Sequence, residues 1–261
     1  MRILITNDDG INAPGLAVLD TIAREIAGPD GEVWTVAPAQ EQSGVAHCIS
    51  YTRPLLLTQL EDRRFTTDGA PADCVIAGLW QVMADARPDL ILSGVNRGNN
   101  AAENTLYSGT LGACIEASLQ GVPSVGLSQF YGPANAGLPD PFEASAIWGV
   151  RAVQACLEAG FDTDAAYPLF YNVNFPPVPA ADVKGLAAVA QGRRHGIAFG
   201  AKKTTAPNGR DYLWISGGNQ QAPTDPGTDA QANLDGHVSI TPMRADLTAG
   251  AALSALRDQL G

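Results

Sequence analysis

A chain of 261 residues that is 45% hydrophobic and 16% charged has the composition of a folded protein, not of a disordered one. Its formal net charge of -11 and pI near 4.6 argue against a polymer nucleic-acid binder, which needs a basic footprint to displace counterions. An acidic whole leaves room for a phosphate ligand, because a bound divalent cation makes an acidic pocket attractive to an anion. Cys48, Cys74, Cys114 and Cys156 lie far apart with no C-x-x-C pair. Neither a zinc ribbon nor a compact disulfide framework fits, and reduced, buried thiols in a reducing compartment are expected. The opening MRILITNDDG meets an aspartate too soon for a secretory signal. No apolar run approaches the ~20 residues of a membrane span. The expected location is the cytoplasm, with no membrane partner.

In chain order, Ile3 to Thr6 reads as a buried strand that stops at Asp8. Leu16, Leu19, Ile22 and Ile26 recur as one face of a helix, which Gly28-Pro29-Asp30-Gly31 ends. Val33 to Ala37 is a second strand stopped by Pro38, and residues 51–67 read as irregular or hairpin β structure. A helix over Ala72–Met83 precedes a strand at Asp89–Ser93. A helix over Gly109–Leu119, a strand at Ser124–Ser128, a helix from about Phe142 to Leu157 and a strand at Tyr171–Phe175 follow. Such alternation predicts an open, doubly wound α/β fold with a mainly parallel sheet, whose ligands bind outside the carboxyl ends of the strands. From 177 to 237 glycine, proline and polar residues dominate, predicting a β-rich excursion that serves as a lid or an oligomerisation arm. Residues 238–261 return as a strand and a C-terminal helix from about Leu247, so 1–261 reads as a single α/β domain.

Four motifs fall at strand ends or a helix start. In Thr6-Asn7-Asp8-Asp9-Gly10, two adjacent carboxylates are costly unless a positive charge accompanies them, and a hard divalent cation supplies it. Taken alone, a plain turn explains the same residues, since Asn, Asp and Gly all favour turns. Ala37 to Gly44 and Ser93 to Gly98 add Ser43 and Asn96 from two further strand ends, giving an all-oxygen cluster with Asp8 and Asp9. Tyr107-Ser108-Gly109-Thr110-Leu111-Gly112 opens a helix whose free N–H groups suit a phosphate, although Ser108 is equally an ordinary helix cap. The P-loop, the dinucleotide fingerprint and the G-x-S-x-G elbow are all missing from the sequence. Asp162-Thr163-Asp164 reads as a solvated loop, and His47, His195 and His237 are too scattered for a histidine zinc site.

Read together, TNDDGINAPGL, APAQEQSG, GAPADCV, PDLILSGVNRG, LYSGTLGA, YNVNFP, GTD and VSITPMRADLT resemble the SurE (survival protein E) family in order and spacing. The resemblance implies a Rossmann-like core and a metal-dependent phosphatase of nucleoside monophosphates. It implies Asp8, Asp9, Ser43 and Asn96 as ligands of one divalent cation per subunit, with Asp8 and Asp9 catalytic. All-oxygen ligation favours Mg²⁺ or Mn²⁺, with Ca²⁺ as a further candidate. Phosphate and substrate contacts fall to Asn12, Gly44, Ser108, Gly109 and Thr110. The resemblance also implies 5′- and 3′-nucleotide substrates, some polyphosphatase activity, and homodimers or homotetramers with an exchanged C-terminal β-element. Two departures from the family pattern, Glu41 and the stretch Asn99–Asn104, are expected to touch none of the ligands. The rival readings are a non-catalytic nucleotide or phosphate sensor and a nucleotide-sugar transferase, both users of such a fold.

Overall fold

The structure, a computed structural model, describes residues 1–196 and 199–261. β1 (Arg2–Thr6) is buried on both faces, and Ile3, Leu4 and Ile5 are fully inaccessible. α1 (Pro14–Ala27) starts on a proline, whose missing N–H costs nothing in a first turn, and buries Leu16, Leu19, Ile22 and Ala23. After β2 (Glu32–Pro38), β3 (Leu57–Glu61) and β4 (Arg64–Thr67) pair antiparallel, so residues 51–67 contain a hairpin. α2 (Pro71–Ala77) runs on as a π-helical stretch to Val82, one residue short of the expected end. β5 (Leu90–Arg97), α3 (Gly109–Leu119), β6 (Ser124–Gln129), α4 (Glu143–Ala159) and β7 (Phe170–Phe175) continue the alternation.

The remainder is β8 (Leu186–Ala188), β9 (Phe199–Thr205), β10 (Asp211–Gly217), α5 (Asp229–Leu234), β11 (Val238–Met243) and α6 (Gly250–Leu260). Residues 177–237 therefore divide. β8 pairs with β11 in the main sheet and α5 packs on β7 and β11, whereas β9 and β10 form a two-stranded sheet of their own. The C-terminal helix begins at Gly250, three residues later than its apolar pattern indicates. All four cysteines are free; Cys74, Cys114 and Cys156 are buried, but Cys48 is exposed. Among the described residues no helix is long and apolar enough to cross a membrane.

The main sheet has the order β3-β4-β2-β1-β5-β6-β7-β11-β8. The six strands from β4 to β7 in that order are parallel, while β3 opposes β4, and β11 opposes β7 and runs parallel to β8. The alternation of side chains along each strand feeds two cores. Ile3, Ile5, Leu90, Leu92, Val125 and Leu127 pack against α1 and α4 on one face. Leu4, Val36 and Ile91 meet Cys74, Val75, Ala113 and Ala117 of α2 and α3 on the other. Burying a side chain of this size contributes ~1.5–3 kcal/mol, so the central strands hold the layers together. The chain leaves β1 toward β2 and later returns on its other side as β5. That reversal opens a crevice at the carboxyl ends of β1 and β5, where this architecture places its ligands.

Candidate metal and phosphate site

Asp8 and Asp9 occupy the turn that leaves β1 at the crevice. The turn is closed by Asn7 Nδ2, which donates to Gly10 O at 2.9 Å, and is tied to the end of β2 by Ile11 N, which donates to Pro38 O at 2.8 Å. A turn it is, but a turn alone does not bury a carboxylate, and Asp8 is 4% exposed. Thr110 Oγ1 donates to Asp8 Oδ1 at 2.8 Å, and the backbone N–H of Arg97 donates to Asp9 Oδ2 at 2.8 Å. Each carboxylate is thereby oriented through one oxygen, leaving the other to face a ligand.

The residues after Ser93 belong to β5, not to a loop beyond it. Pairing with β6 shifts register between Ser93 and Asn96, then resumes with Asn96 opposite Ser128. The irregularity centres on Gly94, where φ is +134° and an added Cβ would lie 2.2 Å from Leu127 O. Asn96 Nδ2 donates to Gly98 O at 2.9 Å, which fixes the amide plane and makes Oδ1 the end left for a cation.

The loop after β2 is strapped to the same rim. Gln42 N donates to Asp8 O at 2.7 Å, and Ala46 N donates to Tyr107 O at 3.1 Å. Ser43 is exposed and donates its hydroxyl to Glu41 Oε1 at 2.7 Å, so its lone pairs remain free. Glu41 therefore does touch a candidate ligand, against the sequence expectation. Its chain folds back within two residues, a local geometry that residue type does not encode. Gly44, beside it, is exposed at φ +74° with open space around its α-carbon.

Ser108 caps α3, accepting from Leu111 N at 3.0 Å, so the plain capping reading holds for its side chain. Its neighbours serve the crevice as well. Thr110 turns to Asp8, and a Cβ on Gly109 would lie 3.0 Å from Asp8 Cβ, so the helix start and the carboxylate are in close contact. Asn12 is not gathered with them. Its Oδ1 accepts from Arg64 at 3.4 Å, in a separate cleft of about 570 Å³ lined also by Asp20, Arg24 and Arg63.

Burial, joined by the neighbouring charge of Asp9, pushes the Asp8 carboxyl up to about 7 against the hydrogen bond from Thr110. Burial raises Asp9 as well, opposed by the Arg97 N–H and its guanidinium. A carboxylate pair that resists ionisation in this way, even with the Arg97 guanidinium beside it, is under-compensated by positive charge. Two carboxylates, a hydroxyl and an amide oxygen are the donors a hard cation takes. Among the described residues no group of three His, Cys, Asp or Glu side chains is arranged to hold an ion, so a cation at this rim needs the neutral oxygens of Ser43 and Asn96. The residues present fit such an ion.

One supporting network escaped the sequence reading. Asn100 N donates to Asn174 Oδ1 at 2.7 Å, Asn100 Nδ2 to Ser128 Oγ at 2.8 Å, and Asn172 Nδ2 to Asn100 O at 2.9 Å. Arg194, itself buried, donates to Asn99 Oδ1 at 2.8 Å and pairs with Glu103 at 3.2 Å. These bonds pin residues 99–104, which join β5 to the start of α3. The available signal was two asparagines spaced by two in the otherwise apolar strand Phe170–Phe175.

The sequence profile of the family described as survival protein SurE matches residues 3–197. The chain belongs to the SurE family. It is 64% identical over 260 residues to the 5′-nucleotidase SurE of Ruegeria pomeroyi, covering 100% of both chains. It is 61% identical over 261 residues to the 5′-nucleotidase SurE of Cereibacter sphaeroides, again over 100% of each. The crystal structure of the SurE protein from Aquifex aeolicus matches 100% of both chains with a TM-score of 0.80 at 33% identity. The doubly wound α/β architecture expected from the sequence is thus the fold of this SurE chain.

Proposed function

We propose that this SurE chain is a divalent-metal-dependent phosphatase that hydrolyses nucleoside monophosphates. The observation that carries the reading is the Asp8–Asp9 pair, raised by burial and set beside the start of α3 at the strand-order reversal. The full-length relatives named 5′-nucleotidase support 5′-nucleotides as the substrate class. Activity on 3′-nucleotides and short polyphosphate is a further part of the proposal.

Asp8, Asp9, Ser43 and Asn96 would hold one cation, Mg²⁺ or Mn²⁺ with Ca²⁺ as the alternative. Bound there, a divalent cation supplies charge neutralisation for the phosphate and acidification of water. The residues do the rest. Thr110 and the Arg97 N–H hold the two carboxylates in place. N–H groups of the helix start at Ser108-Gly109-Thr110 receive phosphate oxygens, the Thr110 N–H being shared with Asp8. Gly44 lets the phosphate approach the Ser43 loop, and Asn12 reaches substrate only by leaving Arg64. The Asp8–Asp9 pair accepts the proton of the attacking water. A phosphate-release panel over nucleoside 5′- and 3′-monophosphates and short polyphosphates tests this. Release is expected with Mg²⁺ or Mn²⁺ and is lost with chelator. Tight nucleotide binding without release under any divalent cation would establish the sensor reading instead.

The 177–237 region is proposed as an oligomerisation arm of a single α/β domain, building a homodimer or homotetramer. Tyr212, Leu213, Trp214 and Ile215 on β10 are 52 to 67% exposed, and α6 has no buried residue. Such surfaces are normally covered by a partner. Trp214→Asp is expected to lower the mass seen by sedimentation, and a monomeric wild type would contradict the assembly. A cytoplasmic location suits the free cysteines, with burial pushing the thiols of Cys74, Cys114 and Cys156 up to about 12.

A further inference from the structure

Two charged side chains at the rim have no part in the reaction described so far. Arg97 ends β5, one residue beyond Asn96, and its backbone bond to Asp9 fixes its α-carbon beside the carboxylate pair. The guanidinium does not turn into the protein. It is 58% exposed, and among the described residues its ion-pair partner is Glu41, 52% exposed, at 3.8 Å. A pair so long and so exposed is weak. The other oxygen of Glu41 accepts the Ser43 hydroxyl at 2.7 Å, so one carboxylate serves both neighbours. Arg97 and Glu41 line a pocket of about 170 Å³ together with Asp9, and Arg97 is the one cation among its lining residues.

Charge counting gives these positions a role. A divalent cation held there would offset Asp8 and Asp9, leaving the loose Glu41–Arg97 pair as the remaining charges at the entrance. An arriving phosphate monoester is repelled by the first and attracted by the second. Its oxygens also match the planar fork of a guanidinium better than a single carboxylate oxygen at 3.8 Å does. We infer that Arg97 is a substrate-binding residue that takes the phosphate of the monoester, and that Glu41 is its resting partner, holding the guanidinium at the rim until the phosphate displaces it. The inference rests on the phosphatase reading above. Side-chain substitution isolates the guanidinium, because the N–H that holds Asp9 belongs to the backbone.

Arg97→Ala, Arg97→Lys and Glu41→Gln, made in the full chain, test it. The measurements are steady-state phosphate release from AMP, calorimetric titration of inorganic phosphate into the Mn²⁺-loaded protein, and Mn²⁺ affinity taken separately. Arg97→Ala should raise both KM and the dissociation constant of inorganic phosphate about tenfold or more, the scale of a charge-assisted hydrogen bond. Arg97→Lys should recover part of that loss, keeping the charge without the fork. Glu41→Gln keeps an acceptor for Ser43 but frees the guanidinium, and should lower KM. Mn²⁺ affinity should be unchanged in both Arg97 variants. Unaltered KM and phosphate binding in Arg97→Ala would overturn the inference, as would a loss traced wholly to weaker Mn²⁺ binding. A wild type that releases no phosphate from any monoester would sink the phosphatase reading separately. The inorganic phosphate titration then decides for Arg97 alone: binding lost in Arg97→Ala supports it, and binding retained overturns it.

Discussion

Each carboxylate of the Asp8–Asp9 pair has one oxygen already engaged, Asp8 by the Thr110 hydroxyl and Asp9 by the Arg97 N–H. Valine in place of Thr110 keeps the shape and removes the donor. Leaving a buried acceptor unpaired costs ~1–3 kcal/mol, so Thr110→Val is expected to lower kcat/KM by roughly 10- to 100-fold through a displaced Asp8. A melting temperature close to that of wild type would show that the fold survives, whereas unchanged kcat/KM would remove Thr110 from the site. The placing of Asp8, Asp9, Ser43 and Asn96 beyond or at strand ends was legible in the sequence because each follows or ends an apolar run that reads as a strand. The Thr110 bond was not, because 102 residues separate its partners and no local pattern links them. Glu41 was misjudged for the opposite reason. Its partner Ser43 is two residues away, but side-chain direction in an irregular loop follows no period.

At the level of elements, the site depends on the loop after β2 lying flat on α3. A Cβ on Gly112 would lie 2.2 Å from Ala46 O, so the two approach as closely as glycine permits. His47 on that loop pairs with Glu116 of α3 at 2.8 Å, and Gln120 donates to the same carboxylate at 2.8 Å. Burial works against the Glu116 charge, but the bonds from His47 and Gln120 outweigh it and hold the carboxyl below its ordinary 4.5. A depressed carboxyl contributes stability that is present above its ordinary value and lost as pH falls through the depressed one. The unfolding free energy of Glu116→Gln should therefore fall less steeply than that of wild type as pH drops from about 5 through the depressed value below 4.5. Parallel pH profiles in denaturant titrations would show that the pair contributes nothing. Element boundaries were mostly legible from local pattern, since α1 carries a clear apolar stripe and a glycine stop. The extension of β5 was not, because Gly94 interrupts the apolar run and only the resumed pairing with β6 shows that the strand continues. The short helix α5 was hidden likewise, as its six residues lie in a glycine-rich and proline-rich region.

For the molecule as a whole, alternation of strand and helix gave the layered class, but strand order needs contacts between residues far apart in the chain. That β11 enters antiparallel beside β7, and that β8 closes the sheet edge, follows from such pairing and from no local composition. The sheet order matters for function because it puts the ends of β1 and β5 side by side, bringing Asp9 within a hydrogen bond of Arg97. The same scale sets the central claim, that the Asp8–Asp9 pair at this junction works by holding a divalent cation against a nucleotide phosphate. Phosphate release from AMP by wild type and Asp8→Asn, each at saturating Mn²⁺ and again with chelator, tests it most directly. The expected result is turnover in wild type that chelator abolishes, and a loss of at least about 100-fold in Asp8→Asn with the fold retained. Wild-type turnover indifferent to chelator, or Asp8→Asn turning over at the wild-type rate, would contradict it.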